Sequence, residues 1–322
     1  MSGGRGPRRV VFDLPNWLGD VIHTLPALSR LLEPAAPAAI TALIPAAYAP
    51  LVALTGAEPL VRPRGAGLWW ARRHLAGRFD VAVSARHATR AKLLLAGCAV
   101  PVALASRGRG ARLLGLRTFR VDRTRHQRHD LDEALRALGR PPVDDAAMRL
   151  ALPGPLRDRG VEHRRALAGA ERTLVLLPGS RGEGRKRYPA AAYATAGQAL
   201  TRRGVAVLVA AGADEERLAL RVAEGAGGRA VPVAWPLEEV AALLAACDAA
   251  IGNDSGLTHL AAVVGTPTLA LFGPTDPART APSGRAAVLQ PPAPRSGRLD
   301  RLAPADVAAA AAWLLELGPT GR

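Results

Sequence analysis

Two doubly wound α/β domains, each a parallel sheet flanked by helices, are the architecture that this sequence predicts. The chain has 322 residues, of which 49% are hydrophobic, enough for about two domains with sizeable cores. Short apolar segments alternate with segments of helical pattern, as in sheets built from βαβ units. The alternation runs twice, on either side of a stretch rich in Pro, Gly and charge at Leu152–Gly160. We therefore expect one domain at residues 1–160, an interdomain linker near its end, and a second domain at 161–322.

The first series of elements starts with an apolar, β-branched strand at Arg8–Leu14, then a loop and a helix at Asp20–Leu32. Further strands are predicted at Ala39–Ile44, Phe79–Ser84 and Val100–Ala105, and further helices at Ala88–Gly97 and Leu131–Leu138. The Arg-rich stretch Arg107–Arg128 is predicted to be loop and edge structure.

The second series repeats the pattern after the linker. Its predicted strands are Thr173–Leu177, Val205–Ala211, Ala230–Val233, Ala249–Ile251 and Thr268–Phe272. Its predicted helices are Val161–Ala168, Ala190–Arg203, Asp214–Ala226, Leu237–Ala246, Leu257–Val264 and Pro304–Leu317. Ligands of such sheets bind beyond the carboxyl ends of the strands, so the loops that follow strands are where a site is expected.

The net charge of +16 is unevenly distributed along the chain. Residues 1–165 hold 27 Lys and Arg against 13 Asp and Glu, and the remainder is nearly balanced. A GC-rich genome explains why 41 of the 43 basic residues are Arg, but not why the excess lies in one half. The basic half predicts an anionic partner, namely a phosphorylated lipid, a membrane surface or nucleic acid.

Cysteine content and hydropathy indicate the compartment. Two cysteines, Cys98 and Cys247, cannot build a disulfide framework and are expected to be buried in a reducing compartment. The charge-free stretch at residues 34–57 is long enough to span a bilayer, but Pro37, Pro45 and Pro50 interrupt it. We expect a cytoplasmic protein whose basic half makes at most a peripheral contact with the inner membrane.

The strongest motif is GNDSGLTHLA, residues 252–261, which follows a predicted strand and opens a helix. Free backbone N–H groups at Ser255 and Gly256 would bind a phosphate at the helix N-terminus. Asn253 and Asp254 are candidates for binding sugar hydroxyls, and His259 lies about one turn into the helix. An ordinary helix cap for Asp254 and a core position for His259 stay open as alternatives.

A second loop, PGSRGEGRKRYP at residues 178–189, has three glycines and a serine after a predicted strand, and Lys186 follows them. Such a loop lets the backbone approach a diphosphate. It is not a P-loop, because Arg187 stands where that motif has Ser or Thr. Only two lysines occur in the chain, so a lysine here suggests a need for a compact ammonium, with chance as the alternative.

A third loop, PNWLGDVIHTLPAL at residues 15–28, places Asp20 between the first strand and its helix. Two interpretations carry equal weight: a helix N-cap, or a general base that takes the proton from an acceptor hydroxyl. His126 lies in the Arg-rich stretch and His129 directly after it, and neither has a metal-ligand pattern around it, so no metal site is predicted.

Together these loops resemble the ADP-heptose:lipopolysaccharide heptosyltransferases, glycosyltransferase family 9. The resemblance rests on GDVIHTLPAL, on KRYP, on GNDSGLTHLAAVVGTPTLALFGPTDP and on LAPADV before the last helix. It implies the GT-B fold, in which an N-terminal acceptor domain and a C-terminal nucleotide-sugar domain, both Rossmann-like, face a central cleft. It also implies an inverting, metal-independent transfer of heptose from ADP-heptose to an acidic lipid A–Kdo acceptor of the lipopolysaccharide inner core, with no cofactor. We expect a monomer.

The resemblance also implies roles for individual residues. Asp20 matches the catalytic base, and Lys186 matches the lysine that neutralises the donor phosphates. The remaining donor-side positions are the turn residue Ser180, the ribose position Glu215, Trp235 near the base pocket, and the donor loop with Asp254, Ser255, Gly256, Leu257 and His259. Lys92 falls near a basic position on the acceptor side.

Several alternatives stay open. The stretch Asn16–Leu18 resembles the second heptosyltransferases and HTLPAL the first, which leaves the acceptor hydroxyl and the donated sugar open. The enzyme alternative is another GT-B nucleotide-sugar transferase acting on a different anionic glycolipid or cell-surface acceptor. The remote alternative is a nucleic-acid-binding protein, suggested by the net charge and Arg107–Arg128. Because that stretch has one aromatic residue, Phe119, it lacks the interleaved rings that stack bases.

Overall fold

The computed structural model describes residues 8–33, 38–108, 110–169, 172–180, 186–292 and 297–316. The chain divides into two units, Met1–Ala146 and Ala147–Arg322, and each contains one six-stranded sheet. All strand pairs in both sheets are parallel, so the predicted α/β class and its two parallel sheets are confirmed.

The sheet of the first unit has the order β3-β2-β1-β4-β5-β6. Its strands are β1 (Arg8–Asp13), β2 (Ala38–Ile44), β3 (Glu58–Val61), β4 (Val81–Ser84), β5 (Val102–Ser106) and β6 (Arg117–Phe119). Its helices are α1 (Leu18–Leu32), α2 (Ala49–Ala53), α3 (Leu68–His74), α4 (Thr89–Gly97) and α5 (Asp132–Ala137). The Arg-rich stretch supplies β6 at the sheet edge, in agreement with the prediction of loop and edge structure.

The sheet of the second unit has the order β12-β11-β10-β7-β8-β9, which is the same winding. Its strands are β7 (Thr173–Leu177), β8 (Ala206–Val209), β9 (Arg229–Ala230), β10 (Ala249–Asn253), β11 (Thr268–Leu271) and β12 (Ala286–Leu289). Its helices are α6 (Gly154–Ala168), α7 (Ala190–Thr201), α8 (Glu216–Ala226), α9 (Leu237–Ala246), α10 (Gly256–Val263), α11 (Pro277–Thr280) and α12 (Pro304–Glu316).

The strand order of each sheet reverses next to its first strand. This switch point lies between β1 and β4 in the first unit and between β7 and β10 in the second. The loops that leave neighbouring strands there diverge to opposite faces of the sheet, and the crevice between them is where open α/β sheets bind ligands. Asp20 follows β1, Ser180 follows β7, and Asp254 follows β10. The winding therefore brings the sequence motifs to the two switch points.

The cores explain why the strand predictions succeeded. Central strands of parallel sheets are covered on both faces and become continuous apolar runs. All five residues of β7 are buried, as are all four of β4. Cys98 and Cys247 are buried as expected, and burial raises the pKa of each thiol to about 12.

The predicted linker at Leu152–Gly160 is corrected by the structure. The division between the units falls at Ala146–Ala147, and most of the predicted linker forms the first half of α6. Pro155 lies in the first turn of that helix, where its missing N–H is not needed for an intrahelical bond. Pro and Gly at a helix start were therefore mistaken for a linker.

Among the residues that the structure describes, no helix combines the length and the apolar character that crossing a bilayer requires.

Packing of α6 on α9 depends on Gly160, because a Cβ at this position would overlap the backbone carbonyl of Ala242. Gly160→Ala is expected to lower the free energy of unfolding by about 1–3 kcal/mol, the range for overpacking. The measurement is urea denaturation. Gly154→Ala in the same helix is the matched control, since a Cβ there meets nothing within 4 Å. Equal effects of the two substitutions would contradict this packing.

Candidate active site

Asp20 is held at the start of α1 by a contact from a distant part of the first unit. The helix begins at Leu18 with Trp17 at the N-cap position, and no side chain caps it. Asp20 is the third helical residue, so its interpretation as the N-cap is wrong. Its Oδ1 accepts a hydrogen bond of 2.9 Å from Gln127 Nε2, and among the described residues its Oδ2 accepts none. The half-buried carboxylate is thus oriented and keeps acceptor capacity, as a general base requires.

A buried ion cluster lies at the switch point of the first sheet. Asp13, the last residue of β1, forms ion pairs with Arg62 and Arg86, and its Oδ2 also accepts a hydrogen bond of 2.8 Å from Ser84 Oγ. The Asp13 and Arg62 side chains are almost fully buried, with exposures of 1% and 4%. Burial lowers the pKa of Arg62, and the charge of Asp13 opposes this shift. Two arginines on one carboxylate leave a net charge of +1 in this cluster.

The same arginine fixes the loop that leads to Asp20. Arg62 Nη1 donates to the carbonyl oxygen of Leu14 over 2.9 Å, and Nη2 donates to Asn16 Oδ1. The loop is therefore tied to the end of β3 before α1 begins. Sequence reasoning missed Asp13, Arg62 and Gln127. The one available signal was Asp13 itself, a charged residue at the end of an otherwise apolar strand.

The N-terminus of α10 lies at the switch point of the second sheet and is a candidate anion-binding site. Ser255 occupies the N-cap position with an extended backbone, and its side chain does not cap the helix. Its Oγ lies 3.2 Å from Thr258 Oγ1 instead. The first N–H groups of a helix have no intrahelical partner, and here the Ser255 side chain does not satisfy them. Gly256 and Leu257 are half-buried, so their amides lie where a phosphate would meet the positive end of the helix dipole.

Asp254 is paired with His259, so its interpretation as the helix cap is wrong. His259 Nε2 lies 3.2 Å from Asp254 Oδ1, and the histidine is buried with 3% exposure. Burial works to raise the pKa of Asp254, but the His259 hydrogen bond and the electrostatic influence of His259 and Lys186 outweigh it. The pKa of this carboxyl therefore lies below its ordinary value. Lys186 therefore contributes to the electrostatic environment of Asp254.

Asn253 differs from its prediction as a sugar ligand, because its fully buried side chain is occupied by other parts of the protein. Its Oδ1 accepts from the Tyr188 backbone N–H over 3.0 Å and from the Tyr193 hydroxyl over 3.1 Å. Its Nδ2 donates to the Pro178 carbonyl oxygen over 2.8 Å. Asn253 therefore joins the end of β10 to the loop after β7 and positions both.

Glu215 ties the loop after β8 to the loop after β7. Its Oε1 accepts from the Ser180 backbone N–H over 3.1 Å and from Arg187 Nη2 over 2.5 Å. Arg187 also donates to the Ser180 carbonyl oxygen over 2.7 Å. Residues 181–185 of the predicted phosphate loop lie outside the described residues. Ser180 and Glu215 are thus neighbours, as the prediction of one donor site requires.

Trp235, a candidate for the base pocket, and Lys92, a candidate for the acceptor side, have different surroundings. The Trp235 ring packs on the His163 imidazole with centroids 4.1 Å apart, so one ring face is already covered. His163 is held in turn by Glu239 at 2.9 Å. Lys92, in the first unit, lies in the first turn of α4 and is 5% exposed.

The histidines of the Arg-rich stretch have structural roles. His129 lies 3.2 Å from Asp132 and 2.8 Å from Asp145, and His126 packs edge-on against His23. In the part of the chain that the structure describes, no three His, Cys, Asp or Glu side chains form a group suited to a metal ion.

Comparison with known proteins identifies the family of the chain. The family model for glycosyltransferase family 9 (heptosyltransferase) matches residues 71–291, more than half of the chain. The chain belongs to glycosyltransferase family 9. The two parallel sheets with their flanking helices also match a solved family structure, the ADP-heptose lipopolysaccharide heptosyltransferase II of Escherichia coli. That match has a TM-score of 0.80 at 21% identity and covers 96% of this chain and 98% of the other.

Curated heptosyltransferases match over a shorter range. Lipooligosaccharide heptosyltransferase 2 of Haemophilus influenzae is 33% identical over 136 residues, covering 40% of this chain and 39% of the relative. Lipopolysaccharide heptosyltransferase 1 of Pseudomonas aeruginosa is 36% identical over 146 residues, covering 44% and 41%. The aligned part of the chain thus spans about two fifths of the length of these relatives. Similarity to both a first and a second heptosyltransferase agrees with the mixed motifs of the first loop.

Loss of the Arg62 guanidinium should destabilise this family 9 protein, because Arg62→Met leaves the buried Asp13 with one arginine and Asn16 without its donor. We expect the free energy of unfolding to fall by about 3–5 kcal/mol, the usual effect of breaking a buried ion pair. Urea denaturation measures it. Arg64→Met, two residues away and exposed, should change stability by less than about 0.5 kcal/mol. A loss at Arg62 no larger than that of the control would show that the cluster does not support the loop.

Asn253→Ala should also destabilise the second unit, by about 2–4 kcal/mol, since it leaves the Tyr193 hydroxyl and the Pro178 carbonyl buried without partners. Thermal unfolding at constant pH is the measurement. The matched control is Ser255→Ala, because that half-buried hydroxyl caps no backbone group. If both variants unfold at the wild-type temperature, the amide does not join the two loops.

Proposed function

We propose that the chain transfers heptose from ADP-heptose to a lipid A–Kdo type acceptor of the lipopolysaccharide inner core, with inversion at the anomeric carbon. Family membership supports the reaction class. The name of the matched Escherichia coli enzyme and the curated relatives support the donor and the acceptor class. The observation that carries the proposal is the N-terminus of α10, which its N-cap side chain leaves uncapped, with the Asp254–His259 pair beside it. Amides at a helix terminus, with Lys186 as the cation that we propose beside them, suit a diphosphate.

In this proposal the second unit, Ala147–Arg322, binds the nucleotide sugar. The amides of Gly256 and Leu257 and the Lys186 ammonium hold the diphosphate, and Ser180 contributes at the turn before it. Glu215 accepts hydrogen bonds from the ribose hydroxyls, and the uncovered face of Trp235 is the place for the adenine. The pKa of Asp254 lies below its ordinary value, so near neutral pH it is an ionised acceptor for the sugar hydroxyls.

In this proposal the first unit, Met1–Ala146, binds the acceptor and supplies the base. Asp20, oriented by Gln127, removes the proton from the acceptor hydroxyl, and that oxygen attacks the anomeric carbon from the face opposite the nucleotide. The bond from the anomeric carbon to the diphosphate oxygen breaks, and ADP leaves with the electron pair. Negative charge grows on the departing diphosphate, where Lys186 and the α10 amides stabilise it without reorganising. No step of this proposal requires a metal ion.

We also propose that the protein acts as a cytoplasmic monomer with a peripheral contact to the inner membrane. The support is the anionic, lipid-linked acceptor together with the concentration of positive charge in residues 1–165. Lys92 is proposed as an acceptor-binding residue on the same grounds.

Asp20→Asn should separate chemistry from donor binding. The amide cannot accept the proton, so kcat should fall by about 100- to 10,000-fold, whereas the dissociation constant for ADP-heptose stays within about twofold. Lys186→Met should weaken ADP-heptose binding by about tenfold or more, since it removes a charge-assisted contact to the diphosphate. Transfer to a lipid A–Kdo acceptor and calorimetric titration of ADP-heptose measure the two effects.

The matched control for these variants is Asp122→Asn, an exposed carboxylate of the first unit whose loss should leave both values unchanged. If Asp20→Asn retains wild-type kcat, the proposed base is wrong. If wild type uses another nucleotide sugar better than ADP-heptose, the transferase class survives and the heptose assignment fails.

A further inference from the structure

Helix α3 carries two neighbouring tryptophans with different surroundings. Trp70 is half-buried, packs against the core of the first unit and stacks on His74, with ring centroids 5.0 Å apart. Trp69 is 79% exposed. Large aromatic rings gain much free energy from burial, so an exposed indole beside a packed one is a candidate for a contact with a partner. A single exposed apolar side chain is ordinary, and its surroundings decide whether it marks a binding surface.

The surroundings of Trp69 on the helix are basic. Arg72 and Arg73 follow it by three and four residues, which places the three side chains on one face of α3. Both arginines are exposed. The buried Ala71 and Leu75 point to the opposite side, where the segment packs on the core. The helix is therefore amphipathic, with one aromatic ring and two cations on its solvent side.

The stretch of sequence around α3 lacks acidic residues. Residues 59–79 hold five arginines and no Asp or Glu. The two acidic residues that border this stretch contact other groups. Asp80 forms an ion pair with Arg9, and Glu58 accepts a hydrogen bond of 3.3 Å from Thr41 Oγ1. The solvent face of α3 thus keeps its positive charge, and charge complementarity favours an anionic partner.

We propose that the solvent face of α3, formed by Trp69, Arg72 and Arg73, contacts an anionic phospholipid bilayer. Tryptophan is enriched at the headgroup level of membranes, because its ring is apolar and its N–H can still donate a hydrogen bond. Arginine stems lie along apolar surface while their guanidinium groups bind lipid phosphates. Each basic side chain near an anionic leaflet strengthens the attraction.

Other partners fit this face less well. A second copy of the chain in a symmetric contact would bring like charges together. A nucleic acid would require several rings for stacking, and this face of α3 has one. A lipid-linked acceptor lies in the bilayer itself, so the contact would hold the first unit at the surface where its proposed substrate is found. This inference therefore rests on the peripheral membrane contact in the proposed function.

Vesicle co-sedimentation tests the surface on the full chain. Vesicles of phosphatidylcholine are compared with vesicles of equal parts phosphatidylcholine and phosphatidylglycerol, at low salt. Wild type should bind the anionic vesicles at least about tenfold more tightly. Trp69→Ala and the double variant Arg72→Gln, Arg73→Gln should each weaken this binding by about tenfold. Both variants should keep the wild-type dissociation constant for ADP-heptose, because donor binding is assigned to the other unit.

Matched controls come from exposed residues of the second unit. Trp313→Ala removes another exposed indole, and the double variant Arg217→Gln, Arg221→Gln removes two exposed arginines from α8. Both controls should bind anionic vesicles as wild type does. Equal losses in the controls and the α3 variants would overturn the proposal, because overall charge and hydrophobicity would then explain the binding. Wild-type affinity in both α3 variants would overturn it as well.

Membrane binding needs no turnover, so it separates this surface from the proposed reaction. Wild type that binds anionic vesicles through α3 but transfers no heptose would support the surface and refute the reaction. Wild type that transfers heptose to a detergent-dispersed acceptor but binds no vesicles would refute the surface and keep the reaction. Soluble polyglutamate is the probe for an acidic protein as partner. If it binds as tightly as the anionic vesicles, with the same loss in Trp69→Ala, the bilayer is the wrong partner.

Discussion

Reversal of strand order at the centre of each sheet is the constraint on which the candidate site depends. Both sheets have the same winding, so each has one crevice at its carboxyl edge, beside β1 in the first unit and beside β7 in the second. Residues far apart in sequence meet there, as Asp13 meets Arg62 and Arg86. Catalytic and binding groups need positions that a rigid scaffold defines, and the strand ends provide them.

Buried polar contacts then fix the loops that leave these strands. Arg62 holds the loop before Asp20, and Asn253 joins the loops after β7 and β10. Such contacts are favourable when every group is paired and costly when one partner is lost, so they define one loop conformation. The α10 amides, which the N-cap side chain does not satisfy, and the second oxygen of Asp20 are two of the groups that we propose for ligand contacts.

The fold was predictable from the sequence where burial determines the pattern. β7 and α9 have the predicted bounds, because a strand covered on both faces and an amphipathic helix each leave a clear pattern. The elements β3, α3 and β12 were not predicted. β3 and β12 are edge strands with only partly buried residues, and α3 is short and rich in Trp and Arg. Edge elements lack the periodicity that identifies central ones.

The candidate site was predictable only as a set of residues on loops. The motifs located Asp20, Lys186 and the donor loop, because glycines and helix starts mark such loops in sequence. Local sequence did not reveal that Gln127 orients Asp20 across 107 positions, or that the Asn253 side chain is occupied by Tyr188, Tyr193 and Pro178. Each of these depends on contacts between distant segments, which no local pattern encodes.

Equilibrium binding of nucleotide sugars to the purified chain tests the central claim most directly. Isothermal titration should compare ADP-heptose with GDP- and UDP-sugars, in wild type and in Lys186→Met. Wild type is expected to bind ADP-heptose at least about tenfold more tightly than the others, and Lys186→Met is expected to lose most of this affinity. Absence of binding, or affinity that does not depend on Lys186, would contradict the assignment of the α10 terminus as a diphosphate site.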